Sequence, residues 1–137
     1  MFFSKQNSKS HKLRVAVLMG GPSSEHEVSL KSGRNVMRAL KDKYAVQGVL
    51  IGRSGEWPSS PEELKRSADL AFIAMHGTYG EDGTVQSLLD EIRMPYTGSD
   101  ALSSALAMNK FLSLRARQDH GFRVPTSIFV HQVGWRR

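Results

Sequence analysis

The chain has 137 residues, no cysteine and a formal net charge of +6. That length suits one domain and buries roughly 70% of the unfolded surface. The lack of cysteine excludes disulfides, thiolate nucleophiles and cysteine-ligated metals, and fits a reducing, cytoplasmic setting. The charge is concentrated at the start, where residues 1–24 carry Lys5, Lys9, Lys12 and Arg14 and no acid.

Residues 1–12 are polar after Met1–Phe3, without the apolar centre of a secretory signal, and read as a solvated, disordered basic tail. No apolar stretch approaches the roughly 20 residues of a membrane span. The remaining basic residues are scattered rather than grouped on one element with aromatics. This argues against a nucleic-acid partner.

Leu13 to Met19 (LRVAVLM) predicts a buried strand, bounded by the tail and by Gly20-Gly21. Ser24 and Glu27 have capping-box spacing, and Val28 to Lys41 then predicts a helix with Gly33, Val36, Met37 and Leu40 on one stripe. Ala45 to Ile51 predicts a second strand. The turn-rich GRSGEWPSSP follows, and then a short helix from Glu62 to Ser67. Leu70 to Met75 (LAFIAM) is continuously apolar, as a strand covered on both faces is.

After the loop HGTYGEDG, the residues Val85, Leu88, Leu89 and Ile92 recur at helical spacing. Met94 to Thr97 reads as a short fourth strand. Ser99 to Gln118 reads as one long helix with Leu102, Ala105, Leu106 and Leu112 on one face, stopped at Val124-Pro125. Strands alternating with helices predict an α/β domain: an open, mainly parallel sheet with flanking helices and right-handed crossovers.

Both glycine-rich loops, GGPSSEHE and HGTYGEDG, follow strands, and in open parallel sheets ligands bind at the carboxyl ends of strands. Neither loop is a dinucleotide fingerprint or a P-loop. Glu25 and Glu27 would fill a helix N-terminus and repel a phosphate, so the first loop suits a cation such as an ammonium group. Each residue also has a plainer reading. Glu27 is most simply the partner of the Ser24 cap, Glu25 a charge complementing the helix dipole, and His26 a surface residue. His76 is either a ligand or a histidine satisfied locally, while Glu81 and Asp82 are either site residues or a turn and a helix cap.

Together GGPSSEHEVS and HGTYGEDGTVQS resemble the two signature segments at the front of D-alanine-D-alanine ligases, and the likeness continues through PYTGS, SALAMNK and Val124-Pro125. The resemblance implies a Rossmann-like substrate domain over residues 13–125, with 126–137 the start of a linker or central domain. It implies that Glu25 is catalytic and holds the amino group of a first D-alanine. His76 would contact that substrate's carboxylate, with Gly77 and its neighbours through Gly83 shaping the pocket. Ser29 would support the glutamate loop, and Lys110 would approach ATP phosphates. No residue of the chain is assigned to a metal.

The same resemblance implies ATP and magnesium as cofactors, peptidoglycan precursor synthesis in the cytoplasm and a homodimer. Family members are much longer and grip ATP between two further ATP-grasp domains, so the 137-residue polypeptide alone is expected to lack turnover. A catalytically silent binding or interaction module on the same fold is the alternative.

Overall fold

In a computed structural model, residues 12–128 and 130 are described. The expected tail at 1–12, apart from Lys12, lies outside the described residues, as does most of 126–137. β1 (Arg14–Gly20) is central, between β2 (Ala45–Ile51) and β3 (Leu70–Ile73), and both neighbours run parallel to it. Its apolar run exists because both of its faces are covered. Ala16 and Leu18 join Ile51, Leu64, Val85 and Leu89 in one core, while Val15 and Val17 face Val36, Met37 and Leu40 in the other. Side chains alternate across a strand, so successive residues feed opposite layers.

α1 (His26–Leu40) therefore covers one face, while α2 (Pro61–Ser67) and α3 (Thr84–Glu91) cover the other. The α1 stripe Gly33, Val36, Met37 and Leu40 faces inward as its spacing predicts. On α3, Val85 and Leu89 are fully buried, with Ile92 packed beside them. The amino end of the sheet is fastened by Arg14, whose Nη2 lies 2.6 Å from Asp69 Oδ1. Among the described residues no helix is long and apolar enough to cross a membrane.

Four expectations change, the first being that the strand expected over Leu70 to Met75 ends at Ile73. The Ser24–Glu27 capping box does not form: α1 begins at His26 behind Glu25, without a side-chain cap, and the Ser23 hydroxyl accepts from Glu25 N–H at 2.9 Å instead. Glu27 is drawn away to Arg53, 2.7 Å from it across the β2–α2 turn. A complete capping box does form at Ser60–Glu63, with Pro61 in the first turn of α2.

The expected fourth strand is reduced to a single bridge between Tyr96 and Ala71, held by bonds from Ala71 N–H to Pro95 O and from Thr97 N–H to Ala71 O. The expected long helix is two, α4 (Ala101–Met108) and α5 (Lys110–Asp119), because Asn109 turns extended and its side chain caps α5 by accepting from Leu112 N–H. Asparagine is a preferred N-cap, and its side chain competes with a continuing helix for backbone donors. The apolar stripe expected on the long helix is left uncovered, with Leu102 81% exposed and Leu112 47%.

Candidate functional site

β1 and β3 are neighbours, yet the helices that follow them pack on opposite faces, so the chain departs in opposite directions from two adjacent strand ends. That divergence opens a crevice at the carboxyl edge of the sheet. The loops 20–25 and 76–83 meet there. Gly77 has φ +73°, a backbone region that L side chains rarely adopt, and a Cβ built on it would stand 2.7 Å from Ser23 Oγ and 3.0 Å from Glu25 Oε2. The Glu25 carboxylate thus lies against the second loop, exposed to solvent on its other side.

His76 is fixed from three directions. Its backbone N–H donates to Ser29 Oγ at 2.8 Å, and its Nε2 lies 2.9 Å from Ser32 Oγ. On the far side of the ring, Nδ1 is 3.5 Å from Glu81 Oε1, while Glu81 Oε2 accepts from Gly77 N–H at 3.0 Å. Ser29 and Ser32 are one helical turn apart on the buried side of α1, so the first loop's helix orients the second loop's histidine. Ser29 is fully buried.

Replacing Ser29 by alanine leaves the His76 N–H without that acceptor. The expected cost is about 1–3 kcal/mol of stability, read as a lower urea midpoint, with the largest amide shift changes at His76 and Gly77.

The rest of the second loop is braced around a strained residue. Tyr79 has φ +75°, unusual for a residue with a Cβ. Its N–H donates to Asp82 Oδ2, its carbonyl accepts from Val85 N–H, and its hydroxyl accepts from Trp57 Nε1 at 2.8 Å. Burial pushes the Asp82 carboxyl up, but the hydrogen bonds from Tyr79 and Thr84 outweigh it, so the group lies below its ordinary value of 3.8. A carboxyl lowered by folding stabilises above its unfolded pKa, and that contribution is lost as pH falls through the folded value. Asp82→Asn should therefore destabilise most at neutral pH, and the gap to the parent should close below about pH 4, as denaturation series at several pH values would show.

Of the residues singled out in the sequence, Glu25, Ser29, His76 and Gly77 are brought together. Lys110 is not among them. It opens α5 and lines a separate hollow with Phe111, Leu114 and Ile128. His26, read as a surface residue, is 7% exposed, and its Nδ1 lies 2.7 Å from Gly21 O, where it holds the turn. Sequence reasoning passed over Ser23, Ser32 and Gln86. For Ser32 a signal existed, its three-residue spacing from Ser29 on a helix. Among the described residues no group of three or more His, Asp or Glu could hold a metal ion.

The parallel order β2-β1-β3, with two loops converging at the switch point, defines the chain as an open-sheet α/β domain with a small polar site at its carboxyl edge. The family model described as D-ala D-ala ligase N-terminus matches residues 14–67 and 58–99, and the chain belongs to that family. A D-alanine–D-alanine ligase from Pelotomaculum thermopropionicum is 47% identical over 121 residues, covering 88% of this chain and 37% of the relative. One from Geobacter sulfurreducens is 51% identical over 102 residues, 73% of this chain and 31% of the relative.

Among solved structures, the D-alanine-D-alanine ligase from Coxiella burnetii matches with a TM-score of 0.75 at 31% identity, over 84% of this chain and 43% of that one. The VanG D-Ala:D-Ser ligase from Enterococcus faecalis matches at 0.72 and 30%, over 85% and 44%. The chain thus spans 31–37% of the length of these two curated relatives.

Proposed function

We propose that residues 13–125 are the first-substrate domain of an ATP-dependent D-alanine–D-alanine ligase that acts in peptidoglycan precursor synthesis in the cytoplasm. The observation that carries this reading is the Glu25 carboxylate set against Gly77 beside the braced His76. An amino acid presents an ammonium and a carboxylate a few ångströms apart. Glu25 attracts the first, and His76, a ring able to donate from nitrogen, meets the second. Glu25 acts here as the catalytic group that fixes the substrate's amine. Ser29 and Gly77 shape the crevice rather than react. The two similar solved structures are named for D-Ala–D-Ala and D-Ala:D-Ser ligation, and they share the first amino acid. That fits a domain whose task is the first substrate, with the second chosen elsewhere.

Bound ATP and magnesium supply the phosphoryl group that activates a carboxylate, together with the charge that stabilises the transfer. The described residues do not make a site for them. Lys110 stands apart from Glu25 and His76 in a hollow without an acidic lining residue, and no acidic cluster is available for magnesium among the described residues. Lys110 remains the residue we assign to the nucleotide phosphates in the longer enzyme. A homodimer belongs to the same proposal, and the exposed Leu102, Leu106 and Leu112 provide apolar surface for it.

Two measurements test the reading. The 137-residue polypeptide should release no phosphate from ATP in response to D-alanine. Joined to the remaining two-thirds of a relative, it should do so, with Glu25→Gln raising the D-alanine KM about 10- to 100-fold, the worth of one hydrogen bond to a charged group. Turnover by the short chain, or an unchanged KM in the variant, refutes the assignment.

A further inference from the structure

The turn between β2 and α2 reaches both loops of the crevice. On one side Arg53 Nη2 lies 2.7 Å from Glu27 Oε1 in the first turn of α1, and on the other Trp57 Nε1 donates to the Tyr79 hydroxyl at 2.8 Å. The two grips differ in weight. The Arg53 and Glu27 side chains are 63% and 74% exposed, and an ion pair so open to solvent contributes little. The Trp57–Tyr79 bond is partly buried, with both rings packed against the core that contains Ile51, Leu64 and Val85, so it is the firmer of the two.

What that bond holds is a strained turn. Tyr79 has φ +75°, a conformation that a residue with a Cβ leaves unless its surroundings retain it. It lies inside the turn closed by Glu81 N–H, which donates to Gly77 O at 2.9 Å. The closure serves the site at both ends. Gly77 stands against Ser23 and Glu25, and the Glu81 carboxylate reaches both His76 Nδ1 and Gly77 N–H. Gly80 abuts Met75, where a built Cβ would stand 2.5 Å from the Met75 Cβ, so the turn has no room to settle inward. Relaxation of Tyr79 to negative φ would part Gly77 from Glu81, and with that closure the contacts to Glu25 and His76 would go.

We propose that Trp57 is a positioning residue of the Glu25–His76 crevice: through the Tyr79 hydroxyl it keeps Tyr79 in the left-handed region, and the Gly77–Glu81 turn is thereby shaped for the substrate before it arrives. The proposal rests on the reading of this crevice as the first-substrate site. Trp57 itself touches no substrate. A ligand that needs the closed turn binds less tightly in proportion to the molecules that have lost it, while the saturated enzyme turns over as before. Loss of the bond therefore raises KM and spares kcat, whereas a mere loss of folded protein lowers apparent kcat and spares KM.

Trp57→Phe and Tyr79→Phe each remove one partner of the bond and keep an aromatic ring. In the 137-residue chain, the strong NOE between the amide and α protons of residue 79, which a positive φ produces, should weaken in both variants. In the chain joined to the remaining two-thirds of a relative, both should raise the D-alanine KM about 3- to 10-fold, the contribution of one neutral hydrogen bond, with kcat within about twofold. Tyr79→Gly takes positive φ without strain, so adding Trp57→Phe to it should raise KM no further. Should Trp57→Phe fail to fold, Tyr79→Phe, which removes a single oxygen, decides alone. An unchanged NOE, a fall in kcat with KM unmoved, or an equal KM rise from Trp57→Phe in the Tyr79→Gly background overturns the proposal. A KM raised by Glu25→Gln but by neither phenylalanine variant refutes the role of Trp57 and leaves the first-substrate reading standing. A KM unmoved by Glu25→Gln, or a joined enzyme without turnover, overturns that reading and the role of Trp57 with it.

Discussion

Replacing Gly20 by alanine is expected to remove about 3 kcal/mol of stability, through two separable effects. Gly20 ends β1 at φ +92°, and a Cβ there would meet the Ile51 carbonyl oxygen at 2.4 Å. That oxygen cannot move freely, because it already accepts from Gly21 N–H at 2.8 Å and belongs to β2, paired with β1 through this very residue. The chain must therefore give way at the first loop, where His26 Cε1 stands 3.1 Å from the same point. Gly98 offers a comparison: its φ is +103°, but nothing lies within 4 Å of a built Cβ, so Gly98→Ala should cost about 1 kcal/mol, the conformational part alone. Guanidinium midpoints of the two variants measure the difference, and equal losses would show that the Ile51 contact is without consequence.

Leu18→Ala should cost about 3–5 kcal/mol. Leu18 has no exposed surface and stands in the core formed by Ile51, Leu64, Val85 and Leu89, where β1 meets α2 and α3. Truncation removes the apolar contact and leaves a void, and the parallel ladders on both sides of β1 prevent the walls from closing over it. Against a total stability of about 5–15 kcal/mol for a domain, that loss is a large share, read as a lower denaturation midpoint by far-UV circular dichroism. A loss below about 1 kcal/mol would mean that the two layers do not share this core.

Much of the architecture is legible in order along the chain. LRVAVLM is rich in valine and leucine and LAFIAM continuously apolar because both faces of β1 and of its neighbour β3 are covered, and the stripe of α1 turns inward as its period requires. The errors share one cause. Ser24–Glu27 and Ser60–Glu63 have the same capping spacing, yet only the second makes the box, because Glu27 finds Arg53 and Ser23 takes the loop's N–H first. The run from Ser99 to Gln118 reads as one helix, since nothing in its period marks the point at which the Asn109 side chain ends one helix and caps the next. The apolar face of that run is equally plain in sequence, but periodicity specifies a face and not what covers it.

By itself the sequence determined the alternation of strands and helices and the two glycine-rich loops at strand ends, because those depend on composition and spacing within a few residues; the candidacy of Glu25, Ser29, His76 and Gly77 came from the resemblance of those loops to D-alanine-D-alanine ligases. The tertiary structure alone decided that the two loops touch, that Ser32 and Glu81 bracket His76, that His26 turns inward and that Gln86 keeps a buried oxygen without a donor. Those are contacts between elements many residues apart. They follow from the order β2-β1-β3, which sets β1 beside β3 and sends the following helices to opposite faces, so that the neighbours of each side chain are chosen by strand pairing rather than by position in the chain.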